Sequence, residues 1–141
     1  MLRSIPALAA GLLLGVLPFS AVAQTALDTA PPAAPFQKVS ELVTLPEFLP
    51  GLGTLYVDPA TLPAGPFLGY DHDGKLSATI YMTPIEDLEG GGAFNDLAVG
   101  SDSVTTTDIY YNAGHPGVEK PHAHVVLWHV PKADETRVAA R

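Results

Sequence analysis

Apolar and polar residues alternate over short stretches that are cut apart by glycine and proline, the period-two signature of strands. Between residues 75 and 82, Leu76, Ala78, Ile80 and Met82 fall on one face, and Ser77, Thr79 and Tyr81 on a second, more polar one. Residues 54–57 and 67–70 read as two earlier strands, the second leading through His72-Asp73-Gly74 into residues 75–82, where Asp-Gly supplies the positive φ of a hairpin turn. Residues 104–111, rich in β-branched side chains, and 122–130 complete the strands. Nine prolines and glycines between Pro46 and Gly69 leave no room there for a helix of three turns. One helix start stands out: Thr83 as N-cap, Pro84 at the first helical position and Glu86 at the third form a capping box, and Gly90-Gly91-Gly92 ends the helix. The pattern predicts a mainly β fold, a small antiparallel barrel or sandwich with one short helix.

The two ends read differently. Arg3, the apolar run from Ile5 to Val16 and the small-x-small triplet Ala21-Val22-Ala23 predict a cleavable signal peptide over residues 1–23, hence an exported protein, periplasmic or extracellular, with no membrane span after cleavage. The apolar run is shorter than the roughly 18 to 20 residues that span hydrocarbon. Residues 24–35, rich in Ala, Thr and Pro, are expected to be a disordered linker, residues 36–131 a single β-rich domain, and residues 132–141 a flexible tail.

Charge narrows the partners. With Arg3 removed, six basic residues face fifteen acidic ones, a net charge of about −9. No basic patch is available to neutralise phosphates, so nucleic acid is excluded as an expected partner. The chain has no cysteine, so any metal site has to be built from imidazole and oxygen.

Four of the five histidines, His115, His122, His124 and His129, lie within fifteen residues. On a strand starting after Pro121, His122, His124, Val126 and Trp128 share one face, and Ala123, Val125, Leu127 and His129 the other. Neighbouring same-face imidazoles can converge on one ion at about 2.0 to 2.1 Å. His115, delivered by the Gly114–Gly117 loop, is the expected third ligand, and Glu119 an oxygen ligand or a group that orients a ring. His72 and Asp73 could join if their turn folds over the same end. The competing reading is a structural or pH-sensitive cluster whose rings bond to backbone and acidic acceptors. Gly100-Ser101-Asp102-Ser103 lacks the closing glycine of a nucleophile elbow, and Met82 stands where a calcium loop starting at Asp71 would need its glutamate.

Gly53-Thr54-Leu55-Tyr56-Val57-Asp58-Pro59, Leu62-Pro63-Ala64-Gly65-Pro66, Gly74-Lys75-Leu76 with Tyr81-Met82, Gly114-His115-Pro116-Gly117 and Pro121-His122 together resemble the TTHB-like domain, a family of exported bacterial proteins of unknown function. The resemblance spans residues 36–131 and implies a β-rich, barrel-like, oligomeric domain with no assigned reaction. In that family the last segment continues Pro-His-x-Asp-x-His, whereas here His124 stands at the aspartate and Val126 at the second histidine. His115 and His122 carry over, with His124 as a local substitution. Gly117 followed by His122-Ala123-His124 also resembles the opening of the cupin metal motif, but the glutamate expected next is missing from residues 125–128. The leading reading is an exported β-domain of unknown function, non-catalytic or with no assigned reaction, that binds a small ligand or a divalent transition metal (zinc or copper), or self-assembles as a homo-oligomer, through the histidine-rich strand. The alternative is a metal-dependent, cupin-like small β-barrel enzyme.

Overall fold

The computed structural model describes residues 26–141; the expected signal peptide lies outside the described residues. Six strands form one antiparallel sheet: β1 (Gln37–Lys38), β2 (Thr54–Val57), β3 (Phe67–Tyr70), β4 (Leu76–Pro84), β5 (Thr106–Asn112) and β6 (His122–Trp128). Two single-turn helices, α1 (Val39–Leu42) and α2 (Ile85–Glu89), and two 3-10 segments complete the secondary structure, so the fold is mainly β, as the alternation predicts. No helix among the described residues is long and apolar enough to cross a membrane. The spatial order is β1-β2-β3-β4-β6-β5. The last strand in sequence therefore inserts between β4 and β5, and β1 and β5 are left as the edges of an open sheet.

The β3–β4 hairpin turns where Asp73-Gly74 predicts it: Gly74 has φ +71, and the Asp71 amide donates to the Lys75 carbonyl. A bulge between Gly69 and Tyr70 then shifts the register, pairing Gly69 with Ala78 but Tyr70 with Leu76. As a result Leu76 does not pack with Ala78, Ile80 and Met82 but joins Tyr56, Leu68 and Tyr70 on the opposite face. The expected polar face of β4 is buried as well, with Ser77, Thr79 and Tyr81 at most 2% exposed. The chain between β4 and β5 bonds two of its hydroxyls. Tyr81 donates to the Ala98 carbonyl at 2.5 Å, and Thr79 Oγ1 accepts from the Gly100 amide at 2.8 Å. Thr79 also donates to His129 Nε2 at 2.7 Å, while His129 Nδ1–H donates to the Ser103 carbonyl.

The capping box does not form. β4 continues through Thr83 and Pro84, which pair with Ala123 and His122, so Thr83 is spent on the sheet and its hydroxyl bonds the Ala123 carbonyl. Pro84 becomes the N-cap of α2, and Glu86 pairs with Lys120 instead of the helix amides. The end of the helix is as expected, with Gly90 closing it and Gly91 at φ +82.

The described part of the expected linker and the expected tail are each anchored to the sheet by a few residues. Leu27 and Ala30 rest on the cluster around Tyr70, whose hydroxyl donates to the Leu27 carbonyl, and Thr29 bridges to Lys75. At the other end the 3-10 segment Lys132–Val138 drives Val138, 1% exposed, into the main core. The amide of Gly51 bonds the Val138 carbonyl at 2.7 Å, and Arg137 pairs with the buried Asp71. Burial opposes ionisation of Asp71, but the amides of Lys75 and Asp73 together with Arg137 hold its carboxyl below the usual carboxylate range.

Candidate metal centre

β6 alternates as the sequence predicts: His122, His124, Val126 and Trp128 are buried, while Ala123, Val125 and Leu127 are half-buried on the opposite face. The strand stays extended because it is paired on both sides, residue for residue, with β4 and β5. His115 arrives from the β5–β6 connection. There Pro116 and Gly117, the latter at φ +89, fill the two central positions of a turn in which His115 and Val118 exchange both backbone bonds at 2.9 and 3.0 Å. Asn112 Oδ1 accepts from the Gly114 amide and fixes the start of that turn to the end of β5.

The three rings meet. His115, His122 and His124 each offer one nitrogen, and the three nitrogens lie within 4.8 Å of one another. Ring centroids are 4.9 Å apart for His115–His122 and for His122–His124, and 5.6 Å for His115–His124. His122 Nε2 and His124 Nε2 are 3.0 Å apart. Two nitrogens at that separation, each about 2.1 Å from a common ion, subtend roughly 90°.

The outer nitrogens are held by oxygen. His122 Nδ1–H donates to the Lys120 carbonyl at 2.7 Å, and His115 Nδ1–H to the Pro116 carbonyl at 3.0 Å. A carbonyl only accepts, so both rings carry a proton on Nδ1, and the neutral form of each presents a bare Nε2. His124 Nδ1 lies 3.1 Å from the Tyr110 hydroxyl. Without an ion the chain of bonds is consistent in one direction: Tyr110 O–H donates to His124 Nδ1, and His124 Nε2–H donates to His122 Nε2. A bound cation would replace that shared proton, with His124 then donating through Nδ1 to Tyr110. Burial, and next the neighbouring His122 and His115, push His124 down to about 4, so it is neutral and ligand-competent at physiological pH.

The other expected participants lie elsewhere. Glu119 is exposed, and its carboxylate stands outside the group of converging nitrogens. The orienting role expected of it falls to Tyr110 and to the carbonyls of Lys120 and Pro116. His72 stacks on Phe48 with centroids 3.7 Å apart and bonds the Ala139 carbonyl, and His129 accepts from Thr79. Tyr110 carries no motif of its own, but it sits directly across from His124 in the β5–β6 pairing. Beside the cluster, a cavity of about 360 Å³ opens between the sheet and the chain from Val39 to Leu52, lined by His115, His124, Tyr110 and Asn112 and otherwise by apolar residues.

Fold and site define a small antiparallel β-domain with three convergent imidazoles at the wall of an apolar cavity. No family model matches the chain, and no curated protein does. Among solved structures, the chain is similar to the hypothetical protein TTHB210 from Thermus thermophilus, with 40% identity over 67% of this chain and 92% of that one, and a TM-score of 0.59. The chain belongs to the TTHB-like family of unknown function.

Proposed function

We propose that this domain binds a divalent transition-metal ion, zinc or copper, through His115, His122 and His124, and that it does so as an exported protein. The observation that carries the reading is the convergence of three imidazole nitrogens within 4.8 Å. Each ring's other nitrogen faces an oxygen, the arrangement that orients ligating histidines in metal sites. Three neutral ligands leave at least one coordination position for water or a bound molecule. The cupin-like ligand set is disfavoured because no carboxylate joins the three rings among the described residues.

Metal analysis of untagged protein, recovered from outside the cytoplasm, tests this directly. About one equivalent of zinc or copper per chain is expected, with the metal-induced rise in Tm abolished in His122→Ala. Metal far below one equivalent, with no thermal response to either ion, would overturn the assignment. N-terminal sequencing of the same preparation checks export, the expected first residue being Gln24.

Self-assembly is a second reading, favoured by a different strand from the one the sequence suggests. β6 has both edges occupied, whereas β5 is an edge strand whose Ile109 and Tyr111 are 70% and 64% exposed. Sedimentation should find a species heavier than one chain that Ile109→Lys reduces to monomer; a monomeric parent chain would remove this reading.

A further inference from the structure

The cavity beside the three histidines has few polar side chains in its wall. His115, His124, Tyr110 and Asn112 supply them, while residues such as Val43, Leu49, Leu55 and Val57 form the rest of the wall. No lysine, arginine, aspartate or glutamate lines it. Aliphatic walls of this extent are poorly hydrated and favour an apolar occupant, and a few polar groups set its orientation. Resting on the metal reading above, the polar part of the wall changes character once an ion is bound. Three neutral imidazoles leave the divalent charge uncompensated, next to a wall of low polarity where attraction to an anion is strongest. The wall itself offers such an anion no other cation.

We propose that the cavity binds a small aliphatic monocarboxylate, its chain among the leucines and valines and its carboxylate completing the coordination of the ion on His115, His122 and His124. Metal and carboxylate then bind cooperatively, and by linkage each tightens the other by the same factor. Metal-free protein holds the acid only weakly, through its chain alone, and a short acid such as acetate lacks the chain.

Cobalt(II) serves as a visible reporter of the metal and octanoate as the acid. Cobalt titration without octanoate comes first: a chain that takes up no cobalt, zinc or copper removes the metal reading and this inference together. With cobalt bound, octanoate should perturb the visible bands and bind at least ten-fold more tightly than acetate or 1-octanol, and at least ten-fold more tightly than to metal-free protein. Leu42→Trp fills the cavity from its partly exposed rim and should weaken octanoate at least ten-fold while leaving cobalt affinity unchanged. If cobalt binds but octanoate behaves like acetate or like 1-octanol, or binds equally well without metal, the inference fails and the metal reading stands. Unaltered octanoate affinity in Leu42→Trp also overturns it.

Discussion

At the scale of single residues, the site depends on protons being in particular places, and Tyr110 and His124 determine this. Tyr110→Phe removes the hydroxyl that positions His124 but keeps the ring, which is already 43% exposed. Metal affinity should fall about 10- to 100-fold while stability changes by less than about 1 kcal/mol. Metal titration paired with a thermal melt separates the two. His124 also sets a pH dependence for the metal-free protein. Its unfolded form takes a proton near 6.5, whereas the folded form resists until about 4. Between these values the unfolded chain binds more protons, so the stabilisation is complete above 6.5 and is lost as pH falls toward 4. His129, also pushed down by burial although its bond to Ser103 opposes the shift, acts with the same sign. Denaturation from about pH 7.5 to about pH 4.5 should show a loss on the order of 2 kcal/mol, smaller in His124→Asn. His122 and His124 were legible as same-face neighbours because alternation in a strand is local. Tyr110 was not, because its place opposite His124 depends on the register of a pairing between distant parts of the chain.

Among the elements, the connection from β5 to β6 shows how backbone shape delivers a ligand. Gly114 has φ +125, and a Cβ there would stand 2.2 Å from the Glu119 carbonyl oxygen. Gly114→Ala therefore has to move the turn that carries His115, while His122 and His124 keep their places on the paired strand. Spectroscopy of the cobalt-loaded variant should report a lost nitrogen ligand, with metal affinity down at least ten-fold and stability down by about 1 to 3 kcal/mol. Retention of all three ligands would show that the turn has more freedom than its geometry implies. The Gly-His-Pro-Gly spacing announced a turn, and the structure has one. Thr83-Pro84-x-Glu86 announced a capping box with equal clarity, yet β4 runs on through Thr83 and Pro84 and the helix starts only at Ile85. Cross-strand bonds to Ala123 and His122 outcompete a local cap that would stabilise by about 1 kcal/mol.

For the molecule as a whole, the terminal segments were the least legible. Residues 24–35 and 132–141 lack periodicity, yet the described part of the first and the segment around Arg137 and Val138 in the second are anchored to the rest of the fold. Their order comes from a few contacts: Val138 in the core, Arg137 on Asp71, and Tyr70 on the Leu27 carbonyl. None of these leaves a trace in local composition. Deleting residues 132–141 should therefore cost several kcal/mol rather than nothing, because it uncovers core and leaves Asp71 buried without its cation. Urea unfolding of the truncated chain is the check, and a midpoint equal to the parent's would mean that the packed end contributes nothing.

The placement of β6 also bears on how the chain is made. Until residues 122–128 have left the ribosome, the margin of β4 that faces β6 lacks its native partner. The central ladder therefore closes only once residue 128 has emerged, and until then β4 offers an unpaired ribbon that other proteins can bind first.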